Sequence, residues 1–411
     1  MSQLGIAYQR LNRLDEAIQI FEQSYEGYLK LNGEKDLSTI GVLRFLADCY
    51  AQRGELEQAE ALLEKVVKVG KIGMGPDHLV TLTSMFRLAK VYNSRGKVEE
   101  ALAVISHVAT RRRAKSGAAD GNTLVNEDLW STVQMQTGQV FEAIKRWEDC
   151  YAVSVNELGP TDPTTVDICT HLAQAYTEVG TLDRATELLE MAIKKHPVST
   201  GKSALGLIDL KLALSDVYSK VERFDEALGL GKDVVADFTA IVGPDHSATR
   251  AAMRSLGYIY LANKQFEIAL PILLQSVELG CVANKSQLSF AGQQVSVGRM
   301  LLLAGEYASA EPLLVESVAT LQRLKPDSWT TYSAQSMLGG VLAGLCRYEE
   351  AEPLLIGGYE GMEARQSKLL YAGTKRFREA AERIVKYYDS VGDSEKSELW
   401  QSKLMMLPSL E

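Results

Sequence analysis

The chain has 411 residues, of which 46% are hydrophobic and 24% are charged, and its formal net charge is −9. This composition is ordinary for a folded chain, and it excludes wholesale disorder, a collagen-like repeat and a protein with many membrane spans. The acidic balance disfavours a role of the whole chain on nucleic acid or on an anionic membrane, because both require a basic surface. No stretch approaches 18 apolar residues, so we expect no direct membrane insertion and a cytoplasmic location by default.

The first predicted elements are helices that recur at a fixed period. An alanine marks each copy, with gaps of 42 residues six times and then 41 twice. The alanines are Ala17, Ala59, Ala101, Ala143, Ala185, Ala227, Ala269, Ala310 and Ala351. An aromatic position keeps step with them, occupied by Tyr8, Tyr50, Tyr92, Tyr176, Tyr218 and Tyr260, and replaced by Gln134, Leu301 and Leu342. A period of this size indicates a repeat architecture built from identical supersecondary units.

Each copy predicts a helical hairpin. In the third copy, Leu82, Met85 and Leu88 stand at helical spacing, and Gly96 follows as a residue that can end a helix. Ala101 then opens a second run of apolar residues at the same spacing. The alanine is small because two helices cross closely there, and a larger side chain would overpack the crossing. One hairpin cannot bury both of its faces, so neighbouring copies must stack into a solenoid.

The joints between hairpins alternate in sequence. Every second joint carries a proline, as in Gly75-Pro76-Asp77-His78 and Gly243-Pro244-Asp245-His246, and the proline stops the preceding helix. We predict an all-α fold, a right-handed superhelix of about ten repeats in one continuous array over 1–411. The predicted repeats are 1–31, 37–73, 79–115, 121–157, 163–199, 205–241, 247–282, 288–323, 329–365 and 371–404. The first of these is expected to lack the start of its first helix, because only seven residues precede Tyr8.

These residues resemble the tetratricopeptide repeat. Its pattern of Leu-Gly, Tyr, Ala and an apolar residue occurs in the first copy as Leu4-Gly5, Tyr8, Ala17 and Phe21. The period of 42 and the Gly-Pro-Asp-His joint are similar to the kinesin-light-chain type of that repeat. The resemblance covers essentially the whole chain, and it implies a helical scaffold that binds other proteins or peptides.

The last quarter has a second resemblance. The segments Leu324 to Trp329, Leu338-Gly339-Gly340, Glu350 to Leu355 and Gly358 to Met362 resemble the C-terminal repeat region of bacterial Hanks-type serine/threonine kinases, which are numerous in planctomycetes. The chain itself has no Gly-rich ATP loop, no HRD-like segment and no DFG triplet. The resemblance therefore implies a regulatory or docking arm of a larger kinase as the alternative function.

Catalytic and metal-binding patterns are absent from the sequence. None of the five histidines has a His or Cys at ligand spacing, and there is no HExxH, CxxC or GxSxG. The five cysteines are odd in number and far apart, which predicts reduced, buried thiols. The basic run Arg111-Arg112-Arg113 predicts a solvated helix end. We therefore expect no enzyme, no cofactor, no metal, no nucleic acid and no small-molecule substrate.

The interaction surface is expected on the first helix of each hairpin. In the tetratricopeptide family this helix lines the concave groove, and the tyrosine ladder packs in the core. Counting back from the tyrosine position gives a mixed set of charged and amide side chains, which suits an extended peptide. The predicted contacts are Arg44, Asp48, Arg87, Lys90, Asn93, His171, Gln174, Asp216, Arg254 and Arg299.

Overall fold

A computed structural model describes residues 2–11, 13–196, 204–283, 287–365 and 371–407. Within these ranges the chain forms twenty helices and no strand. They are α1 (Ser2–Arg10), α2 (Leu14–Asn32), α3 (Leu37–Arg53), α4 (Leu56–Gly73), α5 (Leu79–Ser94), α6 (Val98–Ser116), α7 (Gly121–Gln136), α8 (Val140–Glu157), α9 (Pro163–Glu178), α10 (Leu182–Lys195), α11 (Leu205–Lys220), α12 (Phe224–Val242), α13 (Ser247–Ala262), α14 (Phe266–Ala283), α15 (Gln287–Ala304), α16 (Tyr307–Leu324), α17 (Trp329–Gly344), α18 (Tyr348–Glu363), α19 (Tyr371–Val391) and α20 (Ser394–Met406). The predicted all-α class is confirmed.

The chain divides into two compact units, Met1–Leu172 and Ala173–Glu411. In the first unit α3 packs on α4, α5 on α6 and α7 on α8, and each hairpin also packs on the next one along the chain. The second unit repeats this arrangement from α10 to α20. The continuous array over the whole chain stays a prediction. In the described part of the chain, no helix combines the length and the apolar character that a membrane span requires.

The periodic alanines lie where the two helices of a hairpin cross. All nine of them have no exposed surface, from Ala17 to Ala351. The neighbouring core positions are also buried: Leu63 is 1% exposed and Ile105 is fully buried. The burial of all nine alanines supports the close-crossing interpretation, because little space remains there for a larger side chain.

Several first helices begin with side-chain caps at the joints, whereas α11 begins without one. Asp36 accepts hydrogen bonds from the backbone N–H groups of Ser38 and Thr39 at 2.9 and 3.3 Å, so it caps α3. In the Gly-Pro-Asp-His joints the histidine does the same, since His78 Nδ1 accepts from the N–H of Val80 at 3.3 Å. These caps satisfy N–H groups that a helix leaves unpaired at its start.

The tight turn inside each hairpin needs a left-handed backbone. Glycine supplies it in most repeats, for example Gly54 with φ 88°. Three repeats place another residue in the same conformation: Glu222 (φ 62°), Lys264 (φ 58°) and Cys346 (φ 61°). These three turns carry steric strain that the glycine turns avoid.

Tyrosines of the ladder link one repeat to the preceding one. Tyr92 donates a hydrogen bond to Glu64 Oε1 at 2.8 Å, and Tyr218 donates to Glu190 Oε1 at 2.7 Å, each pair being 28 residues apart. At the equivalent pair in the seventh repeat, Lys232 lies 5.9 Å from the Tyr260 ring centroid. The ladder therefore belongs to the packed core and to the joints between repeats, as predicted, and not to a stacking platform.

Two expectations about side-chain burial are wrong in part. Cys49, Cys150 and Cys169 are buried free thiols, but Cys346 is exposed because it lies in a hairpin turn. The side chain of Cys281 lies outside the described residues. Arg112 does not lie at a solvated helix end: it is 7% exposed and donates a hydrogen bond to Thr83 Oγ1 at 2.5 Å. Arg112 is buried because it lies on the inward side of α6. The run of three arginines in the sequence does not indicate which of them lies on that side.

The first helices of neighbouring hairpins also contact one another. In the first unit α1 touches α3, α3 touches α5, and α5 touches α7. In the second unit the same holds along α11, α13, α15, α17 and α19. We call the surface that these odd-numbered helices form in each unit its first-helix face. The ten predicted contact residues all lie on odd-numbered helices.

Candidate functional site

In the first unit, α3 and α5 bring four of the predicted residues together. Arg87 Nη1 donates a hydrogen bond to Asp48 Oδ2 at 2.5 Å, which joins the two helices. Arg44 lies one turn before Asp48 on α3, and Lys90 lies one turn after Arg87 on α5. Three cations thus surround a single carboxylate, and the group carries an excess of two positive charges. We call these four residues the Asp48 cluster.

Burial changes the ionisation of the Asp48 cluster. It raises the pKa of Asp48, against the opposing influence of the Arg87, Arg44 and Lys90 charges. Burial and the nearby Arg87 charge lower the pKa of Arg44, whose Nε makes no hydrogen bond with the described residues. Lys90 is exposed to solvent. Arg44 and Lys90 therefore have charge that the described part of the chain does not neutralise by direct pairing.

Asn93 extends the same face toward the end of α5. Its side chain is half-buried, and its Oδ1 atom is buried without a hydrogen bond to any described residue. A buried amide oxygen without a donor costs free energy, which a peptide N–H would recover. Asn93 thus stands as an acceptor beside the positive Asp48 cluster.

His171 lies on α9 and forms a second polar group in the first unit. Its Nδ1 hydrogen-bonds Asp128 Oδ1 at 2.8 Å, and the indole Nε1 of Trp147 donates to the same oxygen at 2.7 Å. The hydrogen bond to Asp128 raises the pKa of His171. Burial raises the pKa of Asp167, one turn before His171. This group is acidic, in contrast to the Asp48 cluster.

Gln174 and Asp216 belong to the second unit. Gln174 is exposed. Asp216 accepts a short hydrogen bond from Ser255 Oγ on the neighbouring α13. The Asp216 side chain is open to water on one side, yet the protein on its other sides removes enough hydration to raise its pKa. Asp216 therefore serves first as a link between α11 and α13.

Arg254 is a half-buried cation on α13. It makes no hydrogen bond or ion pair with the residues that the structure describes, and burial lowers its pKa. Tyr258 lies one turn further along α13, and burial raises the pKa of its phenol against the opposing influence of the Arg254 and Arg299 charges. Arg254 therefore has charge that the described part of the chain does not neutralise by direct pairing.

Arg299, in contrast, is engaged within the chain. Its Nε donates to Glu379 Oε2 at 3.2 Å, and its Nη2 makes a second, shorter bond to Glu379 Oε1. This ion pair joins α15 to α19, and both side chains are largely buried at 22% and 16% exposed. A peptide could reach Arg299 only by competing with a bidentate, partly desolvated carboxylate, which is a strong partner.

The structure places all ten predicted residues on first helices, as the sequence predicted. It differs from the prediction in which of their side chains remain unpaired. Asp128 and Trp147 were not predicted, although they hold His171 in place. The signal that could have found Asp128 is its position on α7, which corresponds to Arg44 on α3 two repeats earlier. Trp147 comes from a second helix, and no first-helix pattern could indicate it.

No group of three or more His, Cys, Asp or Glu side chains that could hold a metal ion occurs among the described residues. The thiols of Cys150 and Cys169 are buried, which raises the pKa of each to about 12. Thiols with raised pKa values are poor nucleophiles, because the thiolate is the reactive form. The polar groups of the first-helix faces are therefore suited to binding by charge and hydrogen bonds.

Helical hairpins that stack through their first and second helices define a helical-repeat protein. The family model of the tetratricopeptide repeat matches residues 1–72, 42–114 and 207–280. The chain therefore contains tetratricopeptide repeats, and they are of the kinesin-light-chain-like type that the period of 42 predicts. Repeats of this family are generally scaffolds and not catalysts.

Among curated proteins, the chain is similar to Protein KINESIN LIGHT CHAIN-RELATED 1 of Arabidopsis thaliana, with 21% identity over 233 residues. That alignment covers 56% of this chain and 37% of the relative, so the chain spans little more than a third of that protein. The comparison supports the type of repeat.

Two solved structures share the fold over most of the chain. The apo form of the quorum sensor NprR from B. thuringiensis has a TM-score of 0.55 at 14% identity, covering 87% of this chain and 98% of its own. A Rap protein complexed with Competence and Sporulation Factor has a TM-score of 0.52 at 11% identity, covering 90% of this chain and 97% of its own. At these identities the similarity establishes the fold alone.

Proposed function

We propose that this chain is a protein-interaction scaffold that binds a peptide segment of a partner protein on its first-helix face. The observation that carries the proposal is the Asp48 cluster, where Arg44 and Lys90 have charge left over after Arg87 has paired with Asp48. Complementary charge gives a partner its orientation and a fast association. The segment that fits best carries carboxylates.

Further support comes from the residues beside the cluster. Asn93 offers an unused acceptor, and Arg254 in the second unit offers an unpaired guanidinium. Several contacts of modest strength, spread along helices, suit an extended segment better than a compact ligand. The remaining predicted contacts, His171, Gln174, and Asp216, belong to the proposal as polar positions of the same faces.

The test is charge reversal at an exposed position. Lys90→Glu should reduce partner capture at least tenfold in a pull-down from native lysate, because it turns the excess of two positive charges into zero. Lys145→Glu is the matched control, since Lys145 is exposed on the second helix α8. A photo-crosslinking residue at position 90 should label the captured partner. Equal capture by both variants would contradict the proposal.

The alternative is a docking arm of a serine/threonine kinase. Its support is the resemblance of residues 324–362 to the repeat region of such kinases. Peptide mapping of the native protein tests it: peptides from a Gly-rich loop and an HRD motif in the same polypeptide would favour it. A native polypeptide with no kinase motif would exclude it and leave the free scaffold.

A further inference from the structure

The second unit contains a cavity of about 250 Å³ that the scaffold function does not use. It lies between α15 and α17, and α19 contributes Arg376 to its wall. The other polar groups of the wall are Ser296, Lys325, Thr330 and Ser333. This volume is just below the usual range of about 300–1,000 Å³ for ligand pockets, which suits a compact molecule and excludes a folded segment.

Positive charge accumulates beside this cavity. Arg376 makes no ion pair with a described residue, and burial together with the Arg299 charge lowers its pKa. The Glu379 carboxylate is already bound bidentately by Arg299. Arg383 is also buried, which lowers its pKa to about 10, and it donates to Ser336 Oγ at 3.2 and 3.3 Å. Three guanidinium groups thus lie near the Glu379 carboxylate, which only Arg299 binds among the described residues.

A buried hydroxyl group faces the same space. Ser333 is 1% exposed, and its Oγ makes no hydrogen bond with any residue that the structure describes. In contrast, Ser296 Oγ donates to the carbonyl of Gly292 at 3.0 Å, as a helical serine commonly does. Buried hydroxyl groups are nearly always paired, so the hydroxyl of Ser333 is an unused donor.

The rest of the wall is apolar. Leu288 and Val295 on α15 and Leu321 on α16 line it. A concave apolar surface with a few convergent polar groups is the usual form of a small-molecule site. The cavity therefore has a cationic end at Arg376 and an apolar wall elsewhere.

We propose that this cavity binds a small molecule that carries one oxyanion group, either a carboxylate or a phosphate monoester, on a short apolar body. The guanidinium of Arg376 and the hydroxyl of Ser333 bind the oxyanion, and the apolar body packs on Leu288, Val295 and Leu321. Lys325 lies at the exposed edge of the site and attracts the anion. This site is independent of the proposed peptide face, and it departs from the expectation that the chain takes no small molecule.

The experiment is calorimetric titration of the full chain with hexanoate, butyl phosphate, inorganic phosphate and the neutral hexanol. Saturable binding of hexanoate or butyl phosphate, with at least tenfold weaker binding of hexanol, supports the site. Hexanoate alone identifies a carboxylate ligand, and butyl phosphate alone identifies a phosphate ester. No saturable binding of either anion overturns the proposal. Inorganic phosphate that binds as tightly as butyl phosphate also overturns it, since the apolar wall then plays no part.

Variants locate the site. Arg376→Gln should weaken binding at least tenfold, and Ser333→Ala several-fold. Arg378→Gln is the matched control, because it removes the same charge from the same helix, where Arg378 pairs with Glu382 at 3.4 Å. Arg376→Lys keeps the charge but loses the planar fork, so it should fold like the wild type and bind a few-fold more weakly. Wild-type affinity in both Arg376 variants overturns the assignment.

Discussion

Two adjacent glycines in α18 offer a sharp test of the packing between α17 and α18. A Cβ atom at Gly358 would lie 2.7 Å from the backbone nitrogen of Ser336, 2.8 Å from its Cβ and 2.9 Å from its Cα. A Cβ atom at Gly357 would meet nothing within 4 Å. Ordinary contact begins at 3.4 Å, so Gly358→Ala forces the two helices about 0.7 Å apart, whereas Gly357→Ala needs no movement.

The magnitudes follow from two opposing contributions. Replacing a glycine inside a helix by alanine stabilises it by roughly 0.5–1 kcal/mol, and this gain is common to both variants. Overpacking a well-packed interface costs about 1–3 kcal/mol, and this cost falls on Gly358→Ala alone. We therefore expect Gly357→Ala to be more stable than the wild type. Gly358→Ala should be less stable than Gly357→Ala by about 1–3 kcal/mol.

The assay is urea denaturation followed by circular dichroism, with amide hydrogen exchange of α17 and α18 as a local probe. Exchange is needed because repeat proteins open in segments, so one global free energy of unfolding is not assured. The exchange protection of these helices should be lower in Gly358→Ala than in Gly357→Ala. Equal protection in both would refute the close approach of α17 and α18 at Gly358.

Three further predictions concern single residues. Lys264→Gly should stabilise the second unit by up to about 1 kcal/mol in urea denaturation, because glycine removes left-handed strain of roughly 1–2 kcal/mol and adds a smaller entropy cost. Tyr92→Phe should cost about 0.5–1.5 kcal/mol by the same measurement, because it removes the hydrogen bond to Glu64. The hydrogen bond to Asp128 raises the pKa of His171, so protonation of this imidazole stabilises the fold. The stabilisation is complete below about pH 6.5, the ordinary pKa of histidine. This contribution is lost as the pH rises through the folded-state pKa, so His171→Gln should flatten the fall in thermal midpoint between pH 5.5 and 8.5.

Each of these has a control in another repeat. Gly96→Ala, in a turn with φ 75°, should lower stability where Lys264→Gly raises it. Tyr260→Phe should change stability less than Tyr92→Phe, because a lysine and not a carboxylate stands opposite its ring. Asp128→Asn should flatten the pH profile as His171→Gln does, since it removes the carboxylate that His171 Nδ1 hydrogen-bonds at 2.8 Å. A pH profile that Asp128→Asn leaves like that of the wild type would contradict the role of Asp128.

The sequence could predict which helices carry the candidate site residues. It could not predict which side chains pair with those residues. The spacing from the tyrosine position placed Arg44, Arg87 and Arg254 on first helices, because a helix fixes which residues share a side. The same count also placed Arg299 on a first helix, one turn nearer to the tyrosine position. The structure pairs Arg299 with Glu379, which is 80 residues away, and no local pattern indicates which of many carboxylates will come close.

The sequence by itself determined the period, the hairpin and the close crossing, because these depend on contacts within about 42 residues that every copy repeats. Small alanines, left-handed glycines and capped joints each have a local physical cause. Only the tertiary structure decided which charges remain unpaired. It left Arg254 without an ion pair, gave Asp48 one of its three neighbouring cations, and placed Arg376 from α19 beside a cavity between α15 and α17. Ion pairing depends on distances of a few ångströms between side chains from different repeats, and these distances are set by packing and not by spacing along the chain.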